Sequence, residues 1–393
     1  MKVVVNAQLL HTGGSYRSAG VSSYARNLLT ALAAQNGEHE LTAFLNDRNF
    51  RCPQGHQGLH LRYTRWPAAA PLPRIIWEQT ALPLAARAEK ADLVHGLVNT
   101  LPLASNVPGV VTVHDLSFLR LPERFPRLKQ LYLARLCRAS VRKAQRVIAV
   151  SRQTAADVRE HFGVDSRRLE VVYNGVGERF GPLPAQDVLD FRRRKGLPQK
   201  YLLYVGTLEP RKNLPHLLRA YADWQANSTT GRDVALVLAG AKGWHYREIF
   251  DLAAELGLTG PMESAPFEQG PMVQFPGFVP EEELCLWYNA AAAFVYPSLF
   301  EGFGLPLLEA MASGTPVICS DAPSLQEVAG DAALVVPVQD RPALQNAFER
   351  LFTEPGLAAE LRSRGIRQAG RFSWQRAAAE TIDVYESALH HSD

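Results

Sequence analysis

The segment 298–321, SLFEGFGLPLLEAMASGTPVICSD, places two carboxylates, Glu301 and Glu309, eight residues apart with glycine, proline and hydrocarbon between them. LPLLEAMASG reads as a helix with Pro306 in its first turn and Gly314 past its end. Glu301 therefore precedes the helix and Glu309 lies about 6 to 8 Å further along its axis, so both can reach one ligand. A pair of solvated surface glutamates fits poorly, because Leu305, Leu307, Leu308, Ala310 and Met311 leave little room for a polar face. A carboxylate buried there without partners would cost several kcal/mol and needs donors, for which ligand hydroxyls are candidates.

Three other turns carry residues able to do chemistry. In VGTLEPRKNLPHLL, Arg211 and Lys212 lie just before a helix. Cations there oppose the helix dipole at a cost of a few tenths of a kcal/mol. They make sense if an anion sits between them and the helix end, since arginine grips phosphate by its fork and lysine as a point charge; the plain alternative is a solvated basic turn. GVVTVHD ends in His114 and Asp115. A neutral imidazole there could donate to a hydroxyl or phosphate with Asp115 fixing its orientation, against the alternative of a satisfied structural histidine. The loop AQLLHTGGSYRSAGVSSY carries Gly13, Gly14 and Gly20. Gly20 opens a helix whose N–H groups could seat an anion, unless the glycines are turn formers alone. Neither GxxxxGK[ST] nor GxGxxG follows any strand.

These turns need strands to position them. KVVVN, HELTAF, ADLVHG, GVVTVHD, QRVIAVS and RLEVVYNG alternate with helical patterns such as VSSYARNLLTALAAQ in the first 180 residues or so. A second series runs through YLLYVGT, VALVLAG, MVQFPGF, AAFVYPS, TPVICSD and AALVVPV. Strand and helix in alternation predict α/β architecture with parallel sheets covered on both faces. Residues 177–200 contain GPLP and the basic run FRRRKG without a strand signal and are the expected hinge. The predicted domains are 1–178 and 179–372, with a terminal helix over 373–393 that could pack back on the first. Two doubly wound domains facing one another would bind ligands in a cleft at the carboxyl ends of the strands.

Composition sets the outer bounds. At 393 residues two domains are expected, and 47% apolar with 21% charged residues is ordinary for a globular chain. A net charge of +3 is too small to argue for nucleic acid. Cys52, Cys137, Cys285 and Cys319 are scattered, without metal-ligand spacing, which suits a reducing cytoplasm. MKVVVNAQLL lacks the length and cleavage site of a signal peptide, and no run approaches the roughly 20 uncharged residues of a membrane span.

The residues E-G-F-G-L-P-x-x-E-A-M-A-x-G-x-P-V resemble the E-x7-E signature of retaining glycosyltransferases of the GT-B fold, family four. Y-V-G-T-L-E-P-R-K-N-L, V-V-Y-N-G-V, L-A-G-x-K-G-W, F-P-G-F-V-P-x-x-x-L, S-L-x-E-V-A-G-D-A-A-L and F-S-W-x-x-x-A are similar to that family in the same order, over most of 145–385. The resemblance implies two Rossmann-like domains and a nucleotide-sugar donor. It assigns Glu301 to the donor-sugar hydroxyls, with backbone N–H groups of Gly302, Phe303 and Gly304, and Glu309 to the ribose. Gly304, Leu305, Arg211, Lys212 and Gly20 would meet the diphosphate, His114 the sugar near its reacting carbon, and the backbone of Val279 the base. Thr207 stands where many members carry arginine, so Arg211 is expected to supply the second cation; Ser22 and Ser23 replace a frequent Gly-Arg.

The implied chemistry is departure of a nucleoside diphosphate with charge stabilised by preorganised cations and amides, by front-face attack and with neither cofactor nor metal; there is no DxD motif. The expected product is a hexosylated saccharide or polyprenyl-linked glycan, with mannose from GDP-mannose as first choice and UDP- or dTDP-sugars as alternatives. A sugar-nucleotide epimerase and a catalytically silent nucleotide-sugar-binding protein are the rival classes. Residues 120–146 hold nine basic side chains and one acid, Glu123. Leucines at helical spacing beside them predict a basic amphipathic helix able to dock a cytoplasmic enzyme on the inner face of an anionic membrane, a solvated basic face being the alternative.

Overall fold

The computed structural model describes residues 1–14, 18, 20–35, 39–51, 58–66, 70–122, 127–259 and 272–390, apart from the side chains of Leu128 and Lys129. Cys52, Glu123 and Arg124 lie outside them. The chain divides into two compact units, Met1–Gly175 with Phe372–Asp393, and Val176–Arg371.

The first unit is built on a seven-stranded sheet of β1 (Lys2–Asn6), β2 (Glu40–Leu45), β3 (Leu59–Tyr63), β4 (Leu93–Gly96), β5 (Gly109–Val113), β6 (Arg146–Ala149) and β7 (Leu169–Val171). Their order is β3-β2-β1-β4-β5-β6-β7, every pair parallel. Val3 pairs with Leu41 on one side and Leu93 on the other, and Val3, Val4 and Val5 are all buried. That is the continuous apolar run of a strand covered on both faces. The terminal helix Trp374–His390 packs on the helix Val21–Ala34 and on β5 and β6.

The second unit holds β8 (Tyr201–Val205), β9 (Ala235–Ala239), β10 (Val273–Gly277), β11 (Ala293–Tyr296), β12 (Val317–Ser320) and β13 (Ala333–Val336), in the order β10-β9-β8-β11-β12-β13. Leu202 of β8 pairs with Leu236 of β9 and Ala293 of β11. Strand order reverses at β8, so the turns after β8 and β11 diverge from the carboxyl edge at the place where doubly wound sheets bind ligands.

The segment expected to hold the hinge behaves otherwise. Ala185–Lys195 is a helix of the second unit, and the chain passes between units after Gly175. Its basic run is amphipathic: Phe191 is buried edge-on against Trp287, and Arg192 Nη1 donates to the Ala290 carbonyl at 2.8 Å. The elements that the sequence did not announce include β3 and the helix Pro71–Ala88.

Candidate active site

In the second unit the turns after β8 and β11 bring four charges together. Arg211 and Lys212 close a 3₁₀ turn, Pro210–Lys212, followed by Asn213 in the left-handed region and the helix Leu214–Asn227. Lys212 is 5% exposed, so it is no solvated turn residue. Its Nζ donates to Glu301 Oε1 at 2.5 Å and to the Tyr296 hydroxyl at 2.9 Å. Arg211 Nη1 donates to Glu301 Oε2 at 3.0 Å and to the Phe300 carbonyl at 3.3 Å, while its Nε donates to Glu209. The backbones are joined as well: Leu299 N donates to the Arg211 carbonyl, and Ser324 Oγ to that of Glu301.

Glu301 is 6% exposed. Burial alone would raise its pKa, but Lys212 and Arg211 outweigh it and bring the group down to about 2. Burial and the neighbouring guanidinium lower the Lys212 ammonium, against the pull of Glu301 and Glu209. The charged pair is stable because each member is the other's main solvent substitute.

Just beyond Glu301 the chain turns through Gly304 into the helix Leu305–Ala312, with Pro306 in its first turn. Gly304 has φ 107°, and a Cβ there would stand 2.6 Å from Leu325 Cδ2, so glycine is required on both counts. The amino end of that helix follows Glu301 by four residues, and such an end offers first-turn N–H groups to an anion. Glu309, half-buried, accepts from the Tyr288 hydroxyl at 3.0 Å. Phe303 is buried; Val279 is buried in the turn after β10.

In the first unit His114 follows β5. Its Nε2 lies 2.8 Å from the Leu97 carbonyl, and its backbone N donates to Asn99 Oδ1 at 3.1 Å. A carbonyl only accepts, so Nε2 carries the proton and Nδ1 of the neutral ring is an acceptor. This revises the expectation for the ring: the Leu97 carbonyl, not Asp115, orients it, and Nδ1 is left as an acceptor rather than a donor. Asp115 Oδ1 instead accepts from the Ser117 N–H and hydroxyl. Burial holds His114 below its ordinary pKa against the Leu97 carbonyl and Asp115. The Tyr24 ring stands edge-on to it, centroids 4.5 Å apart.

Gly20, with φ 58°, caps the helix Val21–Ala34 in the same unit, its carbonyl accepting from Tyr24 N. Ser22 is fully buried and its hydroxyl both accepts from His11 N and donates to the His11 carbonyl, pinning the loop. The sequence reading missed Glu209, Tyr288 and Leu97. Glu209 lies inside the quoted L-E-P-R-K motif; the other two contacts come from helix and strand ends distant in sequence.

Residues 18–179 match Glycosyltransferase Family 4 and residues 186–369 match Glycosyl transferases group 1. The chain is 33% identical over 279 residues to the O-antigen chain mannosyltransferase B of Escherichia coli, covering 71% of this chain and 70% of that protein. It is 29% identical over 296 residues to the serotype-specific mannosyltransferase WbdA of Escherichia coli, covering 74% of this chain but 35% of the longer relative. A sucrose-phosphate synthase of Thermosynechococcus elongatus superimposes with a TM-score of 0.78 at 26% identity, covering both chains completely. Two doubly wound parallel sheets with a paired-carboxylate turn and a basic turn at one switch point define a GT-B glycosyltransferase. The chain belongs to family 4 of these enzymes, with the group 1 domain in its second unit.

Proposed function

We propose that this glycosyltransferase moves a hexosyl group, mannose from GDP-mannose in the first instance, onto a saccharide or polyprenyl-linked glycan with retention at the anomeric carbon. The observation that carries the proposal is the Glu301, Arg211 and Lys212 cluster at the entry of the helix Leu305–Ala312. The cations and the helix end would meet the diphosphate and Glu301 the sugar hydroxyls. Glu309 would hold the ribose, the Val279 backbone the base, and His114 a hydroxyl near the reacting carbon through Nδ1. Charge develops on the leaving phosphate, where preorganised donors act most strongly, and that phosphate would take the acceptor's proton. Glu301 then positions the sugar, and neither a protein nucleophile nor a metal is invoked. Likeness to O-antigen mannosyltransferases supports mannose.

Thermal-shift measurements with GDP, UDP, ADP and dTDP test the donor. At a hundredfold excess over Kd the bound nucleotide adds about 2.7 kcal/mol to stability. GDP should give the largest rise; a rise with UDP or dTDP and none with GDP would discard GDP-mannose.

A second observation favours work at a membrane surface. On the helix Arg127–Lys143, which contains no acid, Arg127, Leu131, Arg135, Arg138 and Arg142 are exposed along one stripe, Leu131 to 48%. Such a stripe fits anionic lipid on the cytoplasmic face, each cation contributing up to about 1 kcal/mol. Among the described residues no helix is long and apolar enough to cross a membrane. Co-sedimentation with anionic but not neutral liposomes is expected, and equal recovery with both would refute the docking.

A further inference from the structure

A carboxylate next to a cation weakens an anion site, yet two carboxylates, Glu209 and Glu301, stand against Arg211 and Lys212. Glu301 has the sugar to position; Glu209 has no such task. Its oxygens are divided: Oε1 accepts from Arg211 Nε, and Oε2 accepts the indole N–H of Trp244 at 2.9 Å. Trp244 comes from the turn after β9, which is laced to the turn after β8 through the backbone. Leu208 N donates to the Ala241 carbonyl at 2.9 Å and Gly243 N to the Leu208 carbonyl at 3.1 Å. The approach is so close that a Cβ on Gly243 would stand 2.7 Å from Thr207 Cγ2 and 2.8 Å from the Leu208 carbonyl oxygen. The indole is thereby fixed relative to the turn that carries Arg211.

We propose that Glu209 and Trp244 are positioning residues of the diphosphate clamp: the indole N–H holds the Glu209 carboxylate, and the carboxylate holds the Arg211 guanidinium by its Nε in the orientation that meets the departing diphosphate. The inference rests on Arg211 binding the diphosphate. An arginine on a flexible stem loses most of its directional advantage if its plane is free to turn, so the loss of intrinsic potential caused by Glu209 is offset by preorganisation.

The sign of one substitution separates this from a mere neighbouring charge. Removing a negative charge beside an anion site tightens anion binding on electrostatic grounds alone, whereas removing a positioning group weakens it. The test measures Kd by calorimetric titration of the full chain with each of GDP, UDP, ADP and dTDP, with tryptophan emission followed in parallel. Glu209→Gln and Trp244→Phe should each weaken the best-binding nucleoside diphosphate about tenfold, as expected for one charge-assisted hydrogen bond. The ligand-induced emission change should be largely lost in Trp244→Phe, with the ligand-free melting temperature little changed. Tighter or unaltered binding by Glu209→Gln overturns the proposal, and so does an emission change that persists in Trp244→Phe. If Trp244→Phe does not fold, Glu209→Gln, which keeps the side-chain shape, decides. Arg211→Ala is the control: native affinity in that variant, or no binding by any of the four nucleotides, refutes the clamp itself and the proposal with it, whereas lost affinity there beside unaltered Glu209→Gln refutes the positioning role alone.

Discussion

Glu301 combines two demands that a single residue seldom meets: it is nearly inaccessible to water, and it stays ionised because two cations stand on its oxygens. Glu301→Ala is expected to lower turnover at least a hundredfold while leaving nucleoside diphosphate affinity within about threefold, because on the proposed function the cations it releases would still meet the phosphate. Steady-state kinetics with a separate binding titration checks this, and unaltered turnover would take Glu301 out of the mechanism. The same variant leaves the Lys212 ammonium buried without a counter-carboxylate, so chemical denaturation should show a loss of about 3 kcal/mol or more. A carboxyl lowered from 4.5 to about 2 contributes stability that is complete above 4.5 and is lost as pH falls toward 2. The burial of Glu301 and its need for donors were legible in the sequence from the apolar run around it, whereas the donors that Arg211 and Lys212 supply from another turn were not. Nor were Glu209 and Tyr288, because hydrogen bonds between separate turns and helices leave no periodic trace.

Strand ends and helices supply a second buried polar group in the first unit. His95 of β4 is fully buried, with Nδ1 2.7 Å from the Tyr385 hydroxyl and Nε2 2.8 Å from Thr112 Oγ1, which is 3.1 Å from the Tyr24 hydroxyl. The network ties β4, β5, the helix Val21–Ala34 and the terminal helix together beside the His114 ring. Burial, helped by His114, lowers His95 to about 3, so its contribution to stability is complete above 6.5 and is lost as pH falls toward 3, at up to about 1.4 kcal/mol per pH unit. In denaturation midpoints measured from pH 8 to pH 4, His95→Gln should lose stability at pH 8 but show a flatter decline. Some slope should remain, since burial lowers His114 in the same sense; an unchanged slope would remove His95 as its source. At this scale the central strands were readable because burial on both faces makes them unbroken apolar runs. β3 was missed although it alternates Leu59, Leu61 and Tyr63 with His60 and Arg62, the pattern of a half-covered edge strand, because an alternation of five residues stands out less than the unbroken apolar runs of the central strands. Helix Pro71–Ala88 carries Pro71 and Pro73 at its start and Pro83 inside, residues that signal a turn when read locally. The basic run before Gly196 signals a linker until Phe191 is given a cavity to fill.

For the molecule as a whole, sequence order and structural membership part company at the carboxyl end. Trp374–His390 follows every strand of the second sheet, yet it belongs to the first unit, where Trp374, Ala377, Ala378, Val384, Tyr385 and Ala388 are buried. Tyr385 is also the hydroxyl that satisfies His95. Ending the chain after Arg371 would expose those apolar faces on the helix Val21–Ala34 and on β5 and β6, and would leave a buried imidazole without one of its two partners. Its cost, several side chains at about 1.5 to 3 kcal/mol each, approaches the whole stability of a domain. The second unit, with its own six-stranded sheet and the Glu301 cluster, loses none of its internal contacts. Hydrogen exchange on the truncated chain should therefore show the amides of β4, β5 and β6 exchanging near the unfolded limit, with those of β8, β9 and β11 protected and further protected by nucleoside diphosphate. Equal loss of protection in both units would mean that the second unit depends on the first for its stability.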